Sequence, residues 1–339
     1  MKKENLEGIQ QLLATPKRVV ITAHRNPDGD AVGSSLGLAQ YLISQGHNVH
    51  VVLPNEYPDF LKWLPGQELV SFYETETEIA QQYLKVADVI FTLDFNHRSR
   101  VGDAMTKELT DTNAVMIMID HHEQPDAYAK YMYSDTSMSS TCEMAYHFID
   151  KLGDTDQITP EIANCLYTGI MTDTGSFRYR STTALTHAVV AELIRKGAQN
   201  TSIHENIYDT NSLSRLKLQS IALSHLKVFK EYGTAYTYLS QKDLNSCDYR
   251  KGDTEGFVNI GLSIQGIRFA AIFIENEQEQ IVKISLRSKG DFSVNQVART
   301  YFDGGGHKNA AGGRSTDSLQ ETLAEFENLL PELENELCV

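Results

Sequence analysis

Cysteine is scarce. The 339 residues hold four, Cys142, Cys165, Cys247 and Cys338, and none forms a C-x-x-C pair. A thiolate zinc site is therefore disfavoured, and a chain of this length needs no disulfide framework. Reduced thiols in a cytoplasm are the simplest reading. Long apolar runs are absent too. The longest candidate, FVNIGLSIQGIRFAAIFI, is interrupted by Asn259, Gln265 and Arg268, so no membrane partner is expected. The N-terminal MKKENLEGIQQLLATPKR is too polar for a signal peptide. Positive charge is short: 30 Lys plus Arg stand against 45 acids, a formal net charge of −15. Proteins that grip long duplexes carry a basic stripe, so duplex DNA is not an expected partner. There is no internal repeat, no low-complexity segment, no G-x-G-x-x-G and no P-loop.

What is there suits a globular α/β protein of about two domains, at roughly 150 residues each. RVVITA (18–23), NVHVVLP (48–54), ADVIFTLD (87–94) and AVMIMID (114–120) read as strands. AVGSSLGLAQYLISQG between the first two reads as a helix with Gly46 near its end. Near-continuous apolar strands alternating with helices mean a parallel sheet covered on both faces. Helices are expected at 142–153, 160–174 and 183–198. Residues 1–198 form the expected first domain, 199–230 a polar linker able to hinge, and 231–339 a smaller α/β domain. In the latter, 235–240, 268–275 and 281–288 read as strands, and 293–302 and about 317–336 as helices.

In such sheets, ligands sit beyond the carboxyl ends of the strands. The first strand ends at His24, followed by Asp28 and Asp30; later ones end at Asp94 and at Asp120-His121-His122. The helix over 160–174 presents Asp173. Each has a bland reading. Asp30 would N-cap a helix starting at Ala31, Asp28-Gly29 is a common turn pair, and a His-His pair in a loop is usually surface. Together, at successive element ends, they point to a site. Oxygen-rich ligation with imidazole suits Mn²⁺ or Mg²⁺, and so many donors suit two ions sharing a carboxylate, the usual machinery for phosphoryl displacement. In AHRNPDGD, residues 23–30, every second side chain of an extended chain faces one side, and Pro27 biases Asn26 toward that conformation.

HRNPDGDAVGSSLGL, LDFNHRSRVG, IDHH, SSTCEM, TGIMTDTGSFRYRSTT and SLRS…GGGHKNAAGG occur in this order over nearly the whole chain. They resemble the motifs of the DHH–DHHA1 phosphoesterase superfamily, and within it the bacterial nano-RNase (oligoribonuclease) and 3′-phosphoadenosine 5′-phosphate phosphatase group. The resemblance implies one metal held by His24, Asp28 and Asp94, and another by Asp30, Asp94, His121 and Asp173. It implies a bridging hydroxide as attacking group, His122 beside the scissile phosphate, Asp120 orienting an imidazole, and Mn²⁺ as the working ion, with Mg²⁺ or Co²⁺ as alternatives. Asn26 is expected to support the site or position a water. Pro125 stands where many relatives carry Asn, so no Asn contact is implied there.

The three glycines of GGGHKNAAGG expose backbone N–H groups, and a helix starting near His307 would offer its positive end to an anion. Arg287, Gly305, Gly306 and His307, with Arg268 as a further candidate, are the expected phosphate or base contacts. The expected active site lies in the cleft between the domains, which favours short single-stranded oligonucleotides or nucleoside bisphosphates. The resemblance also admits a cyclic-dinucleotide or linear pApA phosphodiesterase and an exopolyphosphatase- or pyrophosphatase-type enzyme. The non-enzyme alternative is a nucleotide sensor, and the candidate assembly is a homodimer.

Overall fold

The computed structural model describes residues 3–250 and 252–334. The chain divides into two compact units, 1–210 and 211–339. The first unit runs α1 (Lys3–Leu13), β1 (Arg18–Thr22), α2 (Gly29–Ser44), β2 (Asn48–Leu53), β3 (Val70–Phe72), α3 (Thr77–Val86), β4 (Val89–Leu93) and α4 (Asp103–Asp111). It continues β5 (Val115–Asp120), β6 (Tyr131–Ser134), α5 (Thr141–Leu152), α6 (Pro160–Asp173), α7 (Ala184–Arg195) and α8 (Asn200–Tyr208). All six strands are parallel, in the order β3-β2-β1-β4-β5-β6.

Alternate side chains of these strands feed two separate cores. Val19, Ile21, Val51 and Phe91 pack with Leu36 of α2 and Leu166 of α6. Val20, Val52 and Ile90 pack with Leu84 of α3 and Met105 of α4 on the other face. This two-sided burial is why the strands read as unbroken apolar runs. At one edge, α1 lies along β6, where the Asn5 side-chain amide donates to the Met132 carbonyl at 3.2 Å.

The order places the switch point between β1 and β4, where successive connections leave in opposite directions. The helices above that point pack unusually closely. Gly29, Gly33 and Gly37 lie four residues apart on one face of α2, against α6. A Cβ at Gly33 would stand 2.5 Å from the Cys165 carbonyl oxygen. On α6, a Cβ at Gly169 would overlap Cys142 Sγ and come within 2.9 Å of Asp30 Oδ1. The close approach brings the C-terminal end of α6, with Asp173, beside the N-terminal end of α2.

The second unit runs α9 (Leu213–Ser224), β7 (Lys227–Phe229), β8 (Thr234–Leu239), α10 (Gln241–Ser246), α11 (Asn259–Leu262) and β9 (Phe269–Asn276). It ends with β10 (Ile281–Ser288), α12 (Val294–Tyr301), β11 (Gly305–His307), β12 (Ala310–Ser315) and α13 (Leu319–Leu329). Its mixed sheet has the order β11-β12-β10-β9-β8-β7, with β8 and β9 parallel and the other neighbours antiparallel. The polar stretch 199–230 is built of α8, α9 and β7, and it buries Ile203, Leu218 and Ala222.

Two expectations fail in this unit. No helix starts near His307; GGGHKNAAGG forms the β11–β12 hairpin. The glycines serve close strand approach: Gly306 has φ 147°, and a Cβ there would lie 2.5 Å from the Ala310 carbonyl oxygen. Asn309 closes the turn by donating from its side chain to Ser288 Oγ at 2.8 Å and to the Gly290 carbonyl at 3.1 Å. The acidic helix expected over 317–336 is shorter, Leu319–Leu329, with turns after it. Positions 335 and 336, like Cys338, lie outside the described residues.

Candidate metal centre

His24 follows β1 and Asp94 follows β4, so the switch point itself places an imidazole and a carboxylate side by side. His24 Nδ1 faces the Arg25 carbonyl at 2.9 Å, which leaves Nε2 directed at Asp94 Oδ2, 3.4 Å away, and Asp28 Oδ1, 4.0 Å away. His121, just beyond β5, repeats the device. Its Nδ1 faces the Met138 carbonyl at 3.4 Å, and its Nε2 stands 3.5 Å from Asp94, 3.8 Å from Asp30 and 3.6 Å from Asp173. A ring nitrogen turned to a carbonyl fixes the tautomer and leaves the other as a lone-pair donor, the usual support of a metal-bound histidine.

Asp94 is the shared member. Its carboxylate groups with His24 and Asp28 on one side and with Asp30 and His121 on the other, with donor atoms within 4.8 Å of one another in each set. Asp120, fully buried, holds His122 through a 2.7 Å contact to Nδ1, and His122 Nδ1 lies 3.7 Å from Asp94.

Asp28 caps α2, accepting from the Asp30 and Ala31 amides at 3.0 and 3.1 Å. The cap expected at Asp30 is thus two residues earlier, at Asp28. Asp30 is free of that duty and is 1% exposed; its two oxygens accept from the Thr141 and Cys142 amides of α5 at 2.6 and 2.8 Å. Asn26 is not extended. It takes a left-handed backbone, φ 56°, because its amide donates to Asn55 Oδ1 at 2.7 Å while its own Oδ1 accepts from Asn55 Nδ2 at 3.2 Å. That side-chain pair outweighs the bias of Pro27, so the period-two display from His24 to Asp30 does not hold.

Burial pushes the Asp30 carboxyl well up, and the neighbouring Asp94 and Asp173 add to this. Burial likewise raises Asp173 to about 6, against His121. Burial also opposes charge on Asp94, yet His121 and His24 hold its carboxyl well below the usual range. His121 moves well up despite its burial, through Asp94 first and then Asp173 and Asp30. The pattern is one of crowded carboxylates with too little positive charge. An oxygen-rich set with two imidazoles fits hard divalent cations, so the residues present fit the implied metals.

In the second unit, the register sets Arg287 of β10 and His307 of β11 on either side of Ala310 of β12. Directly paired residues share a sheet face, so the two side chains rise from one face across a small residue. Gly305 and Gly306 lie in β11 beside His307, while Arg268 is exposed just before β9.

Thr141, the Thr141–Cys142 amides and Asn55 touch the site but are absent from the expected set. Only S-x-x-E at Ser140–Glu143 signalled a helix start there. Asn55 had no local signal, since its partner lies 29 residues away.

The sheet order and the donors gathered at its switch point define a class. The chain belongs to the DHH–DHHA1 phosphoesterase superfamily: the DHH family N-terminal domain matches residues 18–170 and the DHHA1 domain residues 233–335. Within it, the chain is 30% identical to the bifunctional oligoribonuclease and PAP phosphatase NrnA of Thermus thermophilus, over 93% of this chain and 90% of that protein. The Bacillus subtilis protein of that name is 28% identical, over 93% and 96%. The crystal structure of an exopolyphosphatase-related protein from Bacteroides fragilis is similar over 100% of this chain and 98% of that one, at 39% identity and a TM-score of 0.95.

Proposed function

We propose that the protein is a cytoplasmic, metal-dependent hydrolase that degrades short oligoribonucleotides to mononucleotides and removes phosphate from 3′-phosphoadenosine 5′-phosphate. The observation that carries this reading is the Asp94 carboxylate standing between two donor sets. His24, Asp28 and Asp94 would hold one divalent ion, and Asp30, Asp94, His121 and Asp173 the other, with Mn²⁺ the working pair. Bound there, divalent ions supply an activated water and neutralise charge on the phosphoryl oxygens.

The chain's own residues orient and bind. Asp120 fixes the His122 ring, which would stand beside the scissile phosphate. Asn26, locked to Asn55, supports the loop that carries Asp28. Arg287, His307 and the Gly305–Gly306 backbone, with Arg268, would contact phosphate or base of the substrate. Relatives of the same two-domain length support this substrate class over a long-strand exonuclease.

Two assays test the proposal. A product time course on labelled di-, penta- and longer RNA, with 3′-phosphoadenosine 5′-phosphate and cyclic dinucleotides alongside, should show fastest turnover of the shortest linear strands and of the bisphosphate. Faster cleavage of cyclic dinucleotides, or of polyphosphate added as a further substrate, would replace this reading by those alternatives. Asp94→Ala should cut Mn²⁺-dependent hydrolysis on the order of 10³-fold, several kcal/mol of charge stabilisation, with the circular dichroism unchanged. Near-normal activity in that variant would sink the two-ion centre.

A further inference from the structure

Thr141 opens α5 and is fully buried, with Ser140 as the N-cap. The first amides of a helix have no partner inside it. Here the Thr141 and Cys142 amides both donate to Asp30, and the Glu143 amide donates to Ser140 Oγ at 3.0 Å. The Thr141 hydroxyl is used differently: it donates to Asp94 Oδ1 at 2.9 Å. One residue thus touches the two buried carboxylates that stand in different chain segments, 111 and 47 residues away. Its own position is pinned from behind. Glu143 Oε2 accepts from the Ser139 amide at 3.1 Å, from the Ser139 hydroxyl, and from Thr186 Oγ1 of α7 at 3.1 Å.

Asp94 needs such a holder. Its backbone is left-handed, φ 62°, a state that costs a non-glycine residue about 1–3 kcal/mol and persists only where the surroundings impose it. The histidine nitrogens nearest to it stand 3.4–3.7 Å away, farther than the Thr141 hydroxyl at 2.9 Å. The Thr141 hydroxyl makes the short, directional contact. We infer that Thr141 is a positioning residue: its hydroxyl sets the rotamer of the shared carboxylate Asp94 against Asp30, so that both donor sets face their ions at once. This rests on the metal centre proposed above.

The test is direct Mn²⁺ titration of wild type, Thr141→Val and Thr141→Ser, followed by calorimetry and by the free-Mn²⁺ electron paramagnetic resonance signal. Melting of the metal-free proteins is measured in parallel. Loss of the hydroxyl in Thr141→Val should weaken Mn²⁺ binding roughly 10- to 100-fold, as for other groups that orient metal ligands. Thr141→Ser, which keeps the donor, should bind within about threefold of wild type. Should the valine methyl prevent folding, Thr141→Ala must show the same weakening. Wild-type affinity in Thr141→Val or Thr141→Ala, or equal weakening in Thr141→Ser, overturns the inference. Failure of the wild type itself to bind Mn²⁺ removes the metal centre, and this role with it, and is read separately from the variants.

Discussion

Single residues at the site carry backbone conformations that are uncommon outside glycine. Asp94 and Asn26 both hold left-handed backbones, the first beside a ring of polar contacts, the second locked to Asn55. Such outliers gather where geometry matters more than local stability. Across the sheet of the second unit, Arg287 shares a face with His307 over Ala310. A guanidinium on phosphate contributes about 1.5–3 kcal/mol. Arg287→Ala should therefore raise KM for dinucleotides roughly 10- to 100-fold while leaving hydrolysis of a small generic phosphodiester near wild type. Equal losses on both substrates would remove Arg287 from substrate binding.

Among the elements, the α2–α6 contact and the start of α5 set the positions of the ligands. Gly33→Ala would force a methyl to 2.5 Å from the Cys165 carbonyl. Overpacking of this kind costs about 1–3 kcal/mol, to be seen as a lower denaturation midpoint, with Mn²⁺ affinity falling because Asp30 and Asp173 separate. Glu143 holds α5 to α7. Burial opposes its charge, but His147, Ser139 and Thr186 hold its carboxyl below the usual value. A depressed folded value means the stabilisation is present above the unfolded value, near 4.5, and is lost as pH falls through the folded one. Glu143→Gln should be less stable than wild type at pH 7, and the difference should shrink on acidification in denaturant melts at pH 7 and pH 3.5. A constant difference would exclude the carboxylate as the cause.

These elements were unequally legible. β1, β2, β4 and β5 stand out because burial on both faces makes them continuous apolar runs, and the rule for parallel sheets then points to His24, Asp94 and His121 at their ends. β3 and β6 are short edge strands, three and four residues long, with little apolar signal. The contact between Thr141 and Asp94 spans 47 residues, and nothing local encodes it. GGGH reads as a turn leading into a helix because glycine signals freedom; here it signals two backbones drawn together.

For the whole molecule, each unit has its own sheet and its own buried clusters, and a net charge of −15 surrounds a site meant for phosphates. Attraction must then come from a few fixed cations rather than from the field of the surface. Single-strand binding loses about 0.7 power of salt per phosphate neutralised. With one or two phosphates engaged, kcat/KM on a dinucleotide should drop less than about tenfold from 50 to 200 mM salt. A thousandfold drop would mean a long electrostatic track and a longer natural substrate.

The helix laid along β6 has a meaning of its own for the life of the protein in a crowded solution. A parallel sheet ends in a row of unpaired amides and carbonyls, and such a rim recruits strands from other chains. By covering that rim, α1 works as a guard against self-association. A chain shortened to begin at Lys17 should keep its centre and its Mn²⁺ affinity, yet scatter light increasingly with time and concentration. If it stays clear and monodisperse, the edge is protected by other means.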